Sequence, residues 1–358
     1  MVGHHRCQPS RHFRFIASSV TSLPCRSAAS RSLLQSWLAE VAKRQVRPST
    51  FTTYELMVRL HIVPVIGKKR LDRLSAPDVR RQVNVKADEG LSPHSVRHMH
   101  AVLRSALEQA VRDDLLPRNV ARLVQLPSSR SAPVQPYDAD EARRLLAAAQ
   151  DDRLYALWAV ALGVGLRKGE ALGLRWSDVD MKAGRLHVRQ SVQRQAGGLV
   201  FVEPKTHRSR RTAPLPLVCL SALRAHKLRQ SQERLACGPY WQNFDLVFTT
   251  THGTPIDPRN VNRWFDQLCT RAGIRRLRVH DLRHTCASLL LVQGVTARVV
   301  METLGHSQMA VTMDLYTHVL PGLQEAAATE MDRALGPVVT NVVVNGDPEP
   351  PSGPASST

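Results

Sequence analysis

Leu186-His187-Val188-Arg189-Gln190-Ser191-Val192-Gln193-Arg194-Gln195-Ala196-Gly197-Gly198-Leu199-Val200-Phe201-Val202 is where the chain changes character. On both sides of residues 184–216 apolar residues recur at helical spacing. Here they gather in short runs, Leu186-His187-Val188 and Leu199-Val200-Phe201-Val202, flanking Gly197-Gly198. Glycine accepts the left-handed backbone of tight turns without steric cost, so this pattern predicts a hairpin. Thr212 to Leu217 predicts a third strand. Helical pattern then resumes to about Leu335. The fold class is mainly α with a small antiparallel sheet: an all-helical domain, then an α+β domain.

Working back toward the N-terminus, Leu33, Leu34, Trp37, Leu38 and Val41 fall at helical spacing. Ser49 precedes a second helix, Thr50 to His61, with Tyr54, Met57, Val58 and Leu60 to Ile62 as apolar contacts. Pro64 and Gly67 are expected to close it. Lys68-Lys69-Arg70 reads as a basic loop. Ser75-Ala76-Pro77-Asp78 starts a short helix with Val79 and Val83 inward. Ser92-Pro93 supplies an N-cap and first turn. The stripe that follows is Val96, Met99, Leu103, Leu107 and Ala110, with Arg97, Arg104 and Arg112 off it. Pro117-Arg118-Asn119 is expected to end that helix.

These patterns divide the chain. Residues 1–30 form an irregular basic segment and 31–126 a helical domain. Residues 127–136 are a Pro- and Ser-rich linker. The α+β domain spans 137–336, and 337–358 is expected to be a disordered tail. A length of 358 residues suits two domains plus tails.

The formal net charge is +19 and the sequence pI about 10.6. Such a surplus repels itself in a compact state unless a polyanion neutralises it. A ribosome-associated or membrane-surface protein would meet the same condition. Aromatic residues are only 5%, against a stacking-based single-strand binder. Residues 31–130 carry 18 Lys/Arg against 9 Asp/Glu, and residues 131–336 carry 27 against 19, so both domains are basic. Lys68, Lys69, Arg70, Arg97 and Arg104 in the first, and Arg208, Arg210 and Arg211 in the second, are the candidate DNA-binding residues. The six cysteines show no C-x-x-C pairing, which fits a reducing cytosol better than a disulfide scaffold or zinc site. No apolar run approaches a membrane span.

Five tyrosines are present: Tyr54, Tyr137, Tyr155, Tyr240 and Tyr316. Tyr54 reads as core, Tyr137 stands in the linker, and Tyr155 and Tyr240 lack nearby His/Arg motifs. Tyr316 closes Leu304-Gly305-His306-Ser307-Gln308-Met309-Ala310-Val311-Thr312-Met313-Asp314-Leu315-Tyr316. Attack by a hydroxyl on a phosphodiester builds negative charge on the non-bridging oxygens, so catalysis is mostly positioning and electrostatics. Guanidiniums hold such oxygens by paired hydrogen bonds and keep their charge. Arg167, in a Gly-flanked turn, and Arg283 are the candidates. His280 and His306 could donate to the same oxygens or move protons. His280 and Arg283 are one helical turn apart and can share a pocket. Lys205, in the turn Glu203-Pro204-Lys205-Thr206, could protonate a leaving 5′-oxygen; a plain phosphate-contacting loop is the plainer alternative. Glu170 is a carboxylate placed to fix Arg167. A metal site on His280 and His284 is disfavoured, because Asp281 stands where H-E-x-x-H has its glutamate.

Gly165-Leu166-Arg167-Lys168-Gly169-Glu170-Ala171-Leu172-Gly173-Leu174-Arg175-Trp176, Pro204-Lys205-Thr206, His280-Asp281-Leu282-Arg283-His284 and Leu304-Gly305-His306 through Tyr316 resemble, in order and spacing, the tyrosine recombinase family, particularly phage and integrative-element integrases. The resemblance covers about Leu33 to Leu335. It implies a helical, SAM-like core-binding domain and an α+β catalytic domain that close on a DNA duplex from opposite sides. It implies that Tyr316 forms a 3′-phosphotyrosine and frees a 5′-hydroxyl, with Arg167, Lys205, His280, Arg283 and His306 completing the site. Bond energy stays in the phosphotyrosine, so neither cofactor nor metal is implied. Four protomers would act on two duplexes through a Holliday junction. An excisionase and a host DNA-bending protein are further implied partners, in a bacterial cytoplasm with no membrane contact.

The basic, Ser-rich start superficially resembles a transit peptide, which the bacterial or phage-like remainder disfavours. Many such integrases carry an N-terminal domain for arm-type DNA sites. Here about thirty irregular residues precede the core-binding pattern, so that domain is absent or the reading frame starts elsewhere. Leu323 to Leu335 would pack on a neighbouring protomer or cover its own core. Two other readings keep most of these features: a type IB-like topoisomerase acting alone, and a DNA-binding relic without catalysis.

Overall fold

The computed structural model describes residues 27–126, 135–195, 197–203, 210–305, 329 and 331–336. The chain divides into two compact units, one built mainly from Met1–Pro133 and the other from Val134–Arg194 with Gly198–Thr358.

The first unit is helical. Turns run unbroken over 30–45 as Ser30–Ser36, a wider π-helical stretch Trp37–Ala42, and Lys43–Gln45. Leu33, Leu34, Trp37 and Leu38 are buried, as their spacing predicts. The next helix starts at Pro48 rather than after Ser49, because proline's missing N–H costs nothing in a first turn. Pro64 does not close it. The π-helical stretch Met57–Ile62 passes into Val63–Ile66, and Pro64 sits in the fresh first turn created by the change of pitch. The chain leaves at Gly67. Val58 and Ile62 are buried, whereas Leu60, two positions from each, faces away and is 48% exposed.

Ala76–Asp88 is a full helix of 13 residues rather than a short one, opened by a reciprocal capping box between Ser75 and Asp78. Pro93–Arg112 is capped by Ser92, whose hydroxyl accepts from the Ser95 N–H at 3.2 Å. Val96, Met99, Leu103, Leu107 and Ala110 all point into the core, each large side chain contributing roughly 1.5–3 kcal/mol of burial. That helix ends at Arg112, ahead of Pro117, where Asp114 turns the chain with a positive φ of 54°.

The second unit begins with helices Ala139–Ala148, Tyr155–Gly163 and Lys168–Leu172. Strands β1 (Val179–Asp180), β2 (Arg185–Val188), β3 (Ser191–Gln195), β4 (Gly198–Val202) and β5 (Arg211–Pro214) follow. Helices Leu217–Cys237, Pro258–Ala272, Asp281–Val292 and Ala297–Leu304 come after them. A hairpin does form here, with Gly198 opening its second arm, but its arms are β3 and β4, and β2 is not one of them. Instead β2 lies between β1 and β5, antiparallel to both, with Leu186 opposite Ala213 and Val188 opposite Arg211. The alternation explains the choice. Leu186 and Val188 are buried while Arg185 faces out, so β2 suits a core-facing sheet. The β3–β4 hairpin stands half in solvent, and Phe201 is 40% exposed despite its apolar setting.

Tyr155–Gly163 is apolar all round and buried from Ala156 to Leu162, as befits a central helix. It packs against Leu217–Cys237 and Asp281–Val292. Tyr137 is no linker residue. It is 1% exposed, and its hydroxyl donates to the Arg275 carbonyl at 2.7 Å. Its backbone N–H donates to Thr285 Oγ1 at 3.1 Å. Among the described residues, no helix is long and apolar enough to cross a membrane.

Candidate active site

Arg167 is the N-cap residue of Lys168–Leu172, and the preceding turn depends on a glycine. Gly165 has φ +67°, and a Cβ there would lie 2.3 Å from Leu304 Cδ2. Only glycine lets this turn approach the end of the Ala297–Leu304 helix so closely. Arg167 then reaches two partners. Its Nη1 donates to Glu170 Oε1 at 2.6 Å and its Nη2 to the Gly305 carbonyl at 3.0 Å.

Two more arginines meet the same helix end. Arg283, 2% exposed, donates from Nη1 to the Gly165 carbonyl at 2.7 Å and from Nη2 to the Leu304 carbonyl. Arg211, on β5, donates from Nε to the Thr303 carbonyl at 2.9 Å and from Nη2 to Glu170 Oε2 at 3.1 Å. Three consecutive carbonyls, Thr303, Leu304 and Gly305, thus each accept from a different guanidinium. A helix C-terminus leaves its last carbonyls without intrahelical donors and carries partial negative charge, so cations are favoured there. Gly305 supplies the left-handed C-cap, at φ 69°.

Glu170 is the counter-ion of the group and is 5% exposed. Burial alone would raise its pKa, but Arg211 and Arg167 outweigh it and hold the carboxyl below its ordinary value. Burial, with the positive charges of Arg167 and Arg211, lowers Arg283 to about 9, which leaves it cationic at neutral pH.

His280 immediately precedes Asp281–Val292. Although part of its side chain is open to solvent, the surrounding protein withdraws enough water, with His284 and Arg283 adding positive charge, to push its pKa down to about 4. It is therefore neutral at pH 7. Asp281 anchors this corner, accepting from Arg278 N at 2.9 Å, Nε at 3.0 Å and Nη2 at 2.8 Å. The His284 ring packs edge-on to His280, centroids 5.4 Å apart. Arg167, His280, Lys168, Gln193, Asn262 and Arg278 share the lining of one open cavity of about 760 Å³.

Of the residues singled out by sequence, the structure brings Arg167, Glu170, His280 and Arg283 together. Lys205, His306, Tyr316 and Arg208 lie outside the described residues. The expectation that Arg211 faces DNA fails: its side chain is 5% exposed and turned inward onto Glu170 and Thr303. Strand alternation is the physical reason, since Val188 on the neighbouring core-facing strand is its direct partner. Arg210, one position earlier, is exposed and pairs with Glu203. In the first unit Lys68, Arg97 and Arg104 are exposed. Lys69 and Arg70 carry internal partners, Asp78 and Asp72, so part of that loop's charge is balanced within the fold.

Sequence reasoning passed over Lys168, whose Nζ donates to Asn262 Oδ1 at 2.8 Å on the same cavity. Its adjacency to Arg167 was the available signal. Burial lowers its pKa.

The model of the phage integrase family matches residues 136–322, and that of the phage integrase N-terminal SAM-like domain matches residues 31–86. A XerC-like tyrosine recombinase of Caldanaerobacter subterraneus subsp. tengcongensis is 30% identical over 309 residues, covering 81% of this chain and 79% of that one. An integrase of Streptomyces ambofaciens is 34% identical over 310 residues, covering 83% and 78%. Among solved structures, the Tn1549 transposon integrase in complex with transposon right end DNA superposes with a TM-score of 0.72 at 21% identity, covering 85% of this chain and 99% of that one. A lambda integrase tetramer bound to a Holliday junction gives 0.59 at 19% identity, covering 81% and 77%; both structures are likenesses of fold. The chain belongs to the phage integrase family and is a tyrosine recombinase, an enzyme class that cleaves and rejoins DNA.

Proposed function

We propose that this chain is a site-specific integrase that cuts and rejoins double-stranded DNA through a 3′-phosphotyrosine at Tyr316, integrating and excising a mobile element. The observation that carries the reading is the arginine clasp. Arg167 and Arg283, 116 positions apart, are joined on the carbonyls of Gly305 and Leu304. Those carbonyls immediately precede His306 and lie eleven and twelve positions of sequence before Tyr316. Motifs scattered over the chain are thereby tied to one point.

In this reading the Tyr316 oxygen attacks phosphorus and its proton passes to water. The P–O5′ bond breaks, and Lys205 gives the leaving oxygen a proton. Arg167, 35% exposed, offers N–H groups to the non-bridging oxygens. Arg283, beneath it, contributes positive charge from a low-dielectric position where charge acts strongly. His280, neutral, donates through its ring N–H, and His306 completes the set. Glu170 holds Arg167. A 5′-hydroxyl of a second strand then attacks the phosphotyrosine and gives its proton to the Lys205 amine, while the bond to Tyr316 breaks and the tyrosine oxygen takes a proton back from water. Bond energy is conserved at each step, so no nucleotide cofactor or metal is called for.

The domain roles follow the same reading: 31–126 as core-binding domain, 127–136 as linker and 137–336 as catalytic domain. Four protomers would act on paired attachment sites in a bacterial cytoplasm, with an excisionase and a DNA-bending protein as accessory partners. Lys68, Lys69, Arg70, Arg97, Arg104, Arg208 and Arg210 supply sequence-independent phosphate affinity.

The test is a plasmid carrying two copies of the DNA segment that flanks the element's ends. Deletion of the intervening DNA by the wild-type chain supports an integrase. Relaxation of any supercoiled plasmid by a monomer, without deletion, would replace it with a topoisomerase.

A further inference from the structure

Arg211 is buried, yet it lies outside every motif that carries the proposed reaction. Its three nitrogens divide their work. Nε donates to the Thr303 carbonyl at 2.9 Å and Nη2 to Glu170 Oε2 at 3.1 Å. Nη1 is buried without a hydrogen-bond partner among the described residues. Each partner leads to a different part of the site. Glu170 gives its other oxygen to Arg167. Thr303 is next to Leu304 and Gly305, whose carbonyls accept from Arg283 and Arg167.

A purely structural residue here would be an odd choice. A buried ion pair is often no more stable than well-packed apolar side chains of the same volume. The unpaired Nη1 adds a desolvation cost that an apolar side chain would avoid. What a guanidinium does, and an apolar side chain cannot, is hold two acceptors at fixed separation.

We propose that Arg211 is a positioning residue of the strand-cleavage site, fixing Arg167 through Glu170 and fixing the helix end that precedes His306 and Tyr316 through the Thr303 carbonyl. The inference rests on the proposed function. It makes β5, which follows Lys205 in sequence, a structural beam of the site. Arg211 touches neither DNA nor the reacting atoms; it sets where the groups that do so stand. The charged and titratable groups facing Glu170 are Arg167 before its own helix, Arg211 on β5 and Arg283 on the Asp281–Val292 helix, with the Cys286 thiol behind Arg283. With Arg211 gone, Glu170 keeps fewer cations, takes up a proton at higher pH and releases Arg167.

The test uses the full chain and nicked duplexes that trap the covalent complex, at saturating DNA, from about pH 8 down to about pH 5. R211M is expected to lower the trapping rate about tenfold at neutral pH with duplex affinity unchanged, and the deficit should widen as pH falls. R211K, which keeps the charge but not the fork, should recover part of the rate. In an E170Q background, R211M should add no pH-dependent loss, because the group that titrates is gone. Should R211M fail to melt cooperatively, R211Q, equally uncharged but polar, carries the same cycle with and without E170Q. A deficit that is absent, or is the same at every pH and additive with E170Q, overturns the positioning role. No covalent complex from wild type on any duplex overturns the proposed function itself, and this inference with it.

Discussion

Arg167 donates from Nη2 to the carbonyl of Gly305 at 3.0 Å, across 138 positions of sequence. The bond does two things at once. It fills an acceptor that a helix C-terminus leaves open, and it holds a guanidinium where the Gly305-His306 step begins. Positioning of charge and closure of the helix are one event in this fold.

Gly165 makes that approach possible, so G165A tests it. A Cβ at φ +67°, lying 2.3 Å from Leu304 Cδ2, must displace the helix end or the turn. The variant is expected to lose about 1–3 kcal/mol of stability by urea denaturation, with strand cleavage falling further than duplex binding. Cleavage at the wild-type rate would show that the close approach is dispensable.

Glu170 joins Arg167 and Arg211 in an interior where it is 5% exposed. Replacing it by glutamine strands two cations, and E170Q should cost about 3–5 kcal/mol at neutral pH. The sign with pH follows from its depressed pKa. The folded carboxylate is favoured over the unfolded one, so its stabilisation is full above the ordinary value of 4.5 and is lost as pH falls through the lower folded value. Acid titration of denaturation midpoints should show this limb in wild type and a weaker one in E170Q.

His280 acts in the opposite sense. Its folded pKa of about 4 lies below the ordinary 6.5, so the unfolded chain binds the proton first. Stability should therefore decline as pH falls from 6.5 toward about 4, then level off. H280N should lack that decline. NMR titration of the ring would check the assignment directly, and a pKa above about 7 would remove the neutral donor from the proposed reaction.

Trp158 probes the core that carries these elements. It is 1% exposed, with its ring 5.5 Å from that of Phe265, and its Nε1 is buried without a partner among the described residues. W158A should cost about 3–5 kcal/mol through the cavity it leaves. W158F removes the orphan donor with less volume and should cost under about 1.5 kcal/mol. Equal losses in the two variants would mean that the indole N–H is satisfied in solution.

Much of the first unit was legible because its signals are local. Ser92-Pro93 and the Val96-to-Ala110 stripe specify cap and core face within one helix. Pro64 misled because its effect depends on where the pitch changes, which no residue type announces. The sheet was read with the wrong partner for β2, since strand pairing is non-local and Gly197-Gly198 marks only a turn. In the site, Arg167, Glu170, His280 and Arg283 were legible from motif and spacing. The inward turn of Arg211 was not, because a run of basic residues in a loop looks alike whichever member the strand alternation buries. The clasp on Thr303, Leu304 and Gly305 was also hidden, as its acceptors are backbone carbonyls that carry no residue signature.

The most direct measurement is covalent trapping on nicked duplexes from the DNA flanking the element, without Mg²⁺, resolved on a denaturing gel for wild type and Y316F. A protein–DNA band from wild type that Y316F lacks is the predicted result, and it would map the crossover site as well. A band of equal strength from Y316F, or none from wild type despite retained duplex binding, would contradict Tyr316 as the nucleophile.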